Sequence, residues 1–308
     1  MSEHPGHAHG HKHGHSHTPA NFGRAFAIGI ALNMAFVVTE ATFGVLSHSL
    51  ALVADAGHNL SDVFGLMLAW GASVLVKRAP TPRRTYGLRR SSVLAALFNA
   101  IFLLIAIGAI AWEAVHRFGN PTPVGGNTVM IVAGIGIVIN AATAWLFMSG
   151  RESDINIRGA YLHMVADAGV SVGVVLAGLA IRLTGASWID PVVSLVIVAV
   201  IAVGTWGLLR DSVNMAMDAV PEGIAPDEVK AYLASLPDVT EVHDLHIWSM
   251  STTETALTGH LVRANDRVDD ALLERATHEL HDRFGIEHVT LQLETVSHHC
   301  AQAPDEVL

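Results

Sequence analysis

Two pairs of residues in this 308-residue chain carry chemistry at odds with their surroundings. His58 and Asp62 lie in the apolar run LVADAGHNLSDVFGLMLAWGASVL, and His163 and Asp167 lie in AYLHMVADAGVSVGVVLAGLAI. In both pairs the spacing is four residues, about one helical turn, so each pair points from a single helix face. Two such faces brought together offer two imidazole nitrogens and two carboxylates. That donor set suits a zinc-like divalent ion with bonds of ~2.0–2.2 Å. Calcium would require more oxygens, and copper(I) would require sulfur. An Asp at the centre of a membrane helix costs ~2.5–3.5 kcal/mol, so two cost roughly 5–7 kcal/mol before a partner is found. No Lys or Arg lies near them in either run, which leaves protons or a divalent cation to neutralise them. An Asp–His hydrogen bond joining two helices explains one pair; two pairs of identical spacing strain that reading.

Other polar residues carry weaker signals. Asp55, one turn before His58, could orient a ligand or accept a proton. Asn33, Glu40 and Asn99 could line a wet path, although joining helices is their simpler role. Glu113 and Asp190 fall near expected helix ends, where solvation is cheap. HELH at 278–281 misses the metalloprotease spacing by one residue, so His278 and His281 read as helix-surface residues. The segment MSEHPGHAHGHKHGHSHTPA holds His4, His7, His9, His11, His13, His15 and His17 among small residues. It cannot pack a core, has no secretory-signal pattern, and its composition points to metal. VADAG occurs at 53–57 and again at 165–169, but that echo aligns Asp55, not Asp62, with Asp167.

The elements that must hold these groups are long and apolar. The chain is 51% hydrophobic and only 15% charged, against roughly 25% charged in soluble domains, and its mean hydropathy is +0.42. Six stretches near 22–46, 51–76, 91–117, 125–149, 158–183 and 188–210 are long enough to cross a bilayer as helices. Lys77, Arg78, Arg83, Arg84, Arg89 and Arg90 crowd the second connection, and Arg151, Arg158 and Arg210 fall on the same side. This asymmetry, and the even number of spans, predict cytoplasmic termini. A net charge of −10 leaves no nucleic-acid footprint, and a single cysteine, Cys300, excludes an internal disulfide framework. From about residue 218 the pattern predicts a small α-β-β-α-β domain with helices on one sheet face.

SLALVADAGHNLSD, the basic loop ending RRTYGLRR, NIRGAYLHMVADAGVSVGVV and VHDLHIWSMSTTETALTGHL together resemble the cation diffusion facilitator family, and its zinc, cobalt and cadmium efflux branch in particular. The resemblance covers residues 20 to 296. It implies an α-helical membrane protein of six transmembrane helices with a C-terminal cytoplasmic α+β ferredoxin-like domain, usually a homodimer, that exchanges a divalent metal for protons and is not an enzyme. The implied divisions are a His-rich cytoplasmic tail at 1–20, a transmembrane domain at 21–212, a metal-sensing domain at 213–296 and a flexible tail at 297–308. The family's transport site falls on His58, Asp62, His163 and Asp167, with Zn²⁺ as cargo and Co²⁺, Cd²⁺ or Ni²⁺ as alternatives. Its soluble-domain zinc site falls on His243, His260 and Glu294, with His246 a neighbouring candidate and His298, His299 or Cys300 able to complete it. The loop KRAPTPRRTYGL lacks the Asp and His with which some relatives bind metal there. Its basic residues point instead to lipid phosphates or to Asp211 or Asp218. The absence of a targeting segment favours a bacterial plasma (inner) membrane. An intramembrane metalloenzyme and a proton-coupled carrier of another solute remain the rival readings.

Overall fold

The computed structural model describes residues 24–76, 78–120, 122–148, 155–265, 270–298 and 300. The His-rich tail, Arg151 and His299 lie outside them. Long runs dominated by apolar residues leave backbone groups no partner but their own helix, and six helices result. They are α1 (Arg24–Leu46), α2 (Leu50–Val76), α3 (Ser91–Gly119), α4 (Gly126–Phe147), α5 (Ile155–Thr184) and α6 (Ile189–Ala216). Among the described residues, α3, α6 and most of α4 and α5 are long and apolar enough to cross a membrane by themselves. α1 and the polar-bearing α2 complete the same bundle. α2 packs on α1, α3 and α6, and α4 lies along α5. In the α4–α5 pair a Cβ on Gly126 would stand 2.7 Å from the Gly178 carbonyl oxygen, so this contact requires glycine.

α2 and α5, which carry the two His/Asp pairs, touch each other only sparsely. The shared apolar core, including Leu52, Ile107, Val129, Val174 and Ile201, fills the end of the bundle nearest the α1–α2 turn. That end is also tied by polar contacts. Asp190 is buried and accepts hydrogen bonds from Ser49 Oγ at 2.5 Å and from the Leu50 and Ala51 backbone N–H groups at 2.7 and 3.4 Å. Arg117 approaches it to 3.9 Å and donates to the His48 carbonyl. The expectation of cheap solvation therefore fails for Asp190: a carboxylate in the first turn of one helix satisfies the open N–H groups of another. Glu113 stays half-exposed and pairs with Arg117 one turn on. Asn99 accepts from Ser61 Oγ at 3.3 Å and joins α3 to α2.

The soluble domain runs α7 (Pro226–Ala234), β1 (Val239–Ser249), β2 (Thr255–Arg263), α8 (Asp270–Phe284) and β3 (His288–Thr295). β1 pairs antiparallel with β2, and α8 returns the chain so that β3 pairs parallel with β2. This is a ferredoxin-like α+β arrangement without the leading strand of the full β-α-β-β-α-β motif. Val242, Ile247, Leu257 and Leu261 pack against Val229, Leu233, Leu272 and Leu280 of the helices. The basic loop meets this domain directly. Arg90 pairs with Asp218, Arg89 lies 2.8 Å from Glu254, and the Thr252 N–H donates to Ser92 Oγ at 3.1 Å.

Candidate metal centres

The first cluster closes the gap between α2 and α5. His58 Nε2 lies 3.7 Å from Asp62 Oδ2 and 3.3 Å from Asp167 Oδ1, and His163 Nε2 lies 3.1 Å from Asp62 Oδ2 and 3.5 Å from Asp167 Oδ2. A tetrahedron's edge is about 1.63 times its bond length, or about 3.3–3.6 Å for zinc-type bonds. The four N–O separations bracket that edge. One donor atom from each residue lies within 4.8 Å of every other, and the two imidazoles meet edge to face. The helical repeat aligns each pair, and the sparse α2–α5 packing leaves room between them. Side-chain exposure rises from 3% at Asp167 and 21% at His58 to 33% at Asp62 and 40% at His163. Asp167 and His58 are the deeper members, while Asp62 and His163 lie closer to the end carrying the basic loop.

Asp55 is not among these four donors. It is buried one turn deeper, where Ser171 Oγ donates to it at 3.4 Å and the Glu40 carboxyl lies against it. Asn59 donates to Glu40 at 3.1 Å. Sequence alone does not mark Ser171 and Asn59. Their only signal was position, one turn beyond Asp167 and next to His58.

The second cluster lies on the sheet face turned away from α7 and α8. His243 and His260 are cross-strand partners, and Gln292 faces His260 on the parallel side, which puts Glu294 diagonally beside it. His260 Nδ1 is 2.9 Å and His243 Nε2 3.5 Å from the Glu294 carboxylate, and Cys300 Sγ is 3.5 Å from His260 Nδ1. All four residues are buried, and their donors again fall within 4.8 Å of one another. Neither ring nitrogen of His243 completes a hydrogen bond, and a cation drawing on this donor set would engage one of them. Burial alone would raise the Glu294 carboxyl. Hydrogen bonds from Cys300 and Gln292 and the nearby His260 and His243 outweigh it and hold the group below its ordinary range. His246 stands apart: a bulge between His243 and His246 turns it outward, where it meets Asp244 at 2.9 Å. His298 is exposed, and His278 and His281 sit on the α8 surface beside Asp282.

Two family models match the chain: residues 26–216 match the cation efflux transmembrane domain, and residues 221–296 match the cation efflux protein cytoplasmic domain. The chain belongs to the cation efflux family. It is similar to the zinc transporter ZitB of Escherichia coli strain K12, at 38% identity over 89% of this chain and 88% of that protein. It is 35% identical to the cadmium, cobalt and zinc/H(+)-K(+) antiporter of Bacillus subtilis strain 168, over 89% of this chain and 90% of that one. The metal cation efflux system protein CzcD of Cupriavidus metallidurans is 35% identical over 97% of this chain and 92% of its own. This member of the cation efflux family is thus a multi-pass membrane transporter and not an enzyme. Its first cluster sits within the span of the transmembrane model, and its second within the span of the cytoplasmic model save for Cys300.

Proposed function

We propose that this protein exports a divalent metal ion, zinc foremost, in exchange for protons, with His58, Asp62, His163 and Asp167 as the transport site. The observation that carries this reading is the set of N–O separations of 3.1–3.7 Å among four residues on two sparsely packed membrane helices. The ligands bind metal only when deprotonated, so metal and protons compete for the same atoms. In one orientation of α2 and α5 the set takes metal from the side of the basic loop. Rocking of the bundle then opens the end tied by Asp190 and Arg117, where protons displace the cargo. Cobalt, cadmium and nickel fit the same donors. The relatives' names as zinc, cadmium and cobalt carriers support that substrate class.

On the strength of the basic connections, both termini lie in the cytoplasm and the protein in a bacterial inner (plasma) membrane. The divisions proposed are a tail at 1–20, a transmembrane domain at 21–212, a soluble domain at 213–296 and a second tail at 297–308. The soluble domain pairs two copies into a homodimer, and His243, His260 and Glu294 with Cys300 hold a regulatory metal there. Zinc uptake into everted vesicles tests the transport site. Asp62→Ala and Asp167→Ala are each expected to abolish uptake at wild-type expression, and a wild-type rate in either would refute the site.

A further inference from the structure

α1 carries one acidic residue, Glu40, and it is fully buried. α1 packs on α2 and α4, and α4 contributes no titratable side chain. α2 contributes Asp55, also buried, whose carboxyl meets that of Glu40. Asn59 donates to Glu40 Oε2 and Ser171 to Asp55 Oδ2. Glu40 Oε1 and Asp55 Oδ1 are left buried with no hydrogen-bond partner. The other ionisable groups acting on Asp55 are His58 and Asp167, both members of the four-donor set. Two carboxylates in contact away from water, with no cation beside them, cannot both stay ionised. One proton shared by the two carboxyls supplies a donor between them and leaves the pair a single negative charge.

We propose that Glu40 and Asp55 form a second proton-binding site that holds one shared proton in the metal-free protein and releases it when metal binds. Asp55 lies one turn from His58 on α2, and its partner Ser171 lies one turn from Asp167 on α5, so the pair adjoins both halves of the metal site. A dication at the four donors favours the fully ionised pair, and the proton leaves to water. When the pair takes up a proton again, the local negative charge that holds the dication falls. The exchange therefore moves one more proton than the four ligands themselves release. This inference rests on the four-donor transport site.

The test titrates zinc into the purified full-length protein in weakly buffered solution and counts protons released per zinc, across a range of pH. Glu40→Gln keeps the side-chain shape and the acceptor for Asn59 but carries no titrating proton. The variant is expected to release one proton fewer per zinc, which makes its zinc affinity about tenfold less steep per pH unit. Equal release by wild type and Glu40→Gln would overturn the proposal while leaving the transport site standing. Absence of any proton release by wild type would bring down both. Should the variant fail to fold, infrared spectra of the wild type decide: a protonated-carboxyl C=O band is expected without zinc and lost with it. A missing band, or one indifferent to zinc, overturns the shared proton.

Discussion

Asp190→Asn changes two atoms' chemistry and little shape, and its effect can be worked from the contacts of one carboxylate. Asp190 receives Ser49 Oγ at 2.5 Å and the Leu50 N–H at 2.7 Å, with the Ala51 N–H at 3.4 Å as a weaker third. The amide retains one acceptor oxygen, and the other position becomes an NH₂ that cannot accept. A hydrogen bond to a charged group contributes ~1.5–3 kcal/mol and a neutral one ~0.5–1.5 kcal/mol. The retained bond therefore loses about 1 kcal/mol and the abolished one about 2 kcal/mol. Removing a negative charge from the N-terminus of α2 adds ~0.3–1 kcal/mol. The total is about 3.5 kcal/mol, equivalent to roughly 300-fold faster amide exchange if this helix end opens locally. Hydrogen exchange followed by mass spectrometry on a peptide covering residues 47–53 reads it directly, with peptides from α8 as the internal control. Exchange within about threefold of wild type would show that the charge at Asp190 does not hold the start of the helix bearing His58 and Asp62.

Gly126→Ala should lower thermal stability by about 1–3 kcal/mol, because the two atoms its Cβ meets most closely are α5 backbone, Gly178 O at 2.7 Å and Arg182 N at 3.2 Å. Gly134→Ala, which meets nothing within 4 Å, is the control on the same helix and should be neutral or stabilising. In a protein whose transport site is silenced by Asp62→Ala, Cys300→Ser should weaken cadmium binding at the soluble-domain site by tenfold or more, and zinc binding less, because the lost thiolate is the soft ligand. Isothermal titration with each metal measures both. Glu294 is held below its ordinary range in the folded domain, so its ionised form stabilises the metal-free fold fully above that range. The contribution falls away as pH drops through the depressed native value. Exchange protection across β2 and β3 should decline with acidification over that interval, and Glu294→Gln should flatten the dependence.

The six membrane helices, the α-β-β-α-β order and the four residues of the first cluster are legible in the amino-acid sequence. Each of these is written in a local period: run length for a membrane helix, alternation for a strand, and i, i+4 spacing for His58–Asp62 and His163–Asp167. The contact between the basic loop and the start of the soluble domain was also legible, since Arg90 and Asp218 are opposite charges at expected element ends. Pairings between distant residues that share no common period emerge only when the elements pack. Asp190 looks like a solvated helix-end carboxylate until α6 is seen to seat it on the N-terminus of α2, some 140 residues away. Glu40 and Asp55 look like isolated polar residues until the packing of α1 on α2 joins them. Between His243 and His246 the choice depends on a bulge in β1, which resets which side chains face the open side of the sheet. Cys300 meets His260 only because the chain after β3 folds back over that face. Local sequence specifies the direction a side chain takes from its own backbone, whereas the partner it meets depends on how whole elements pack.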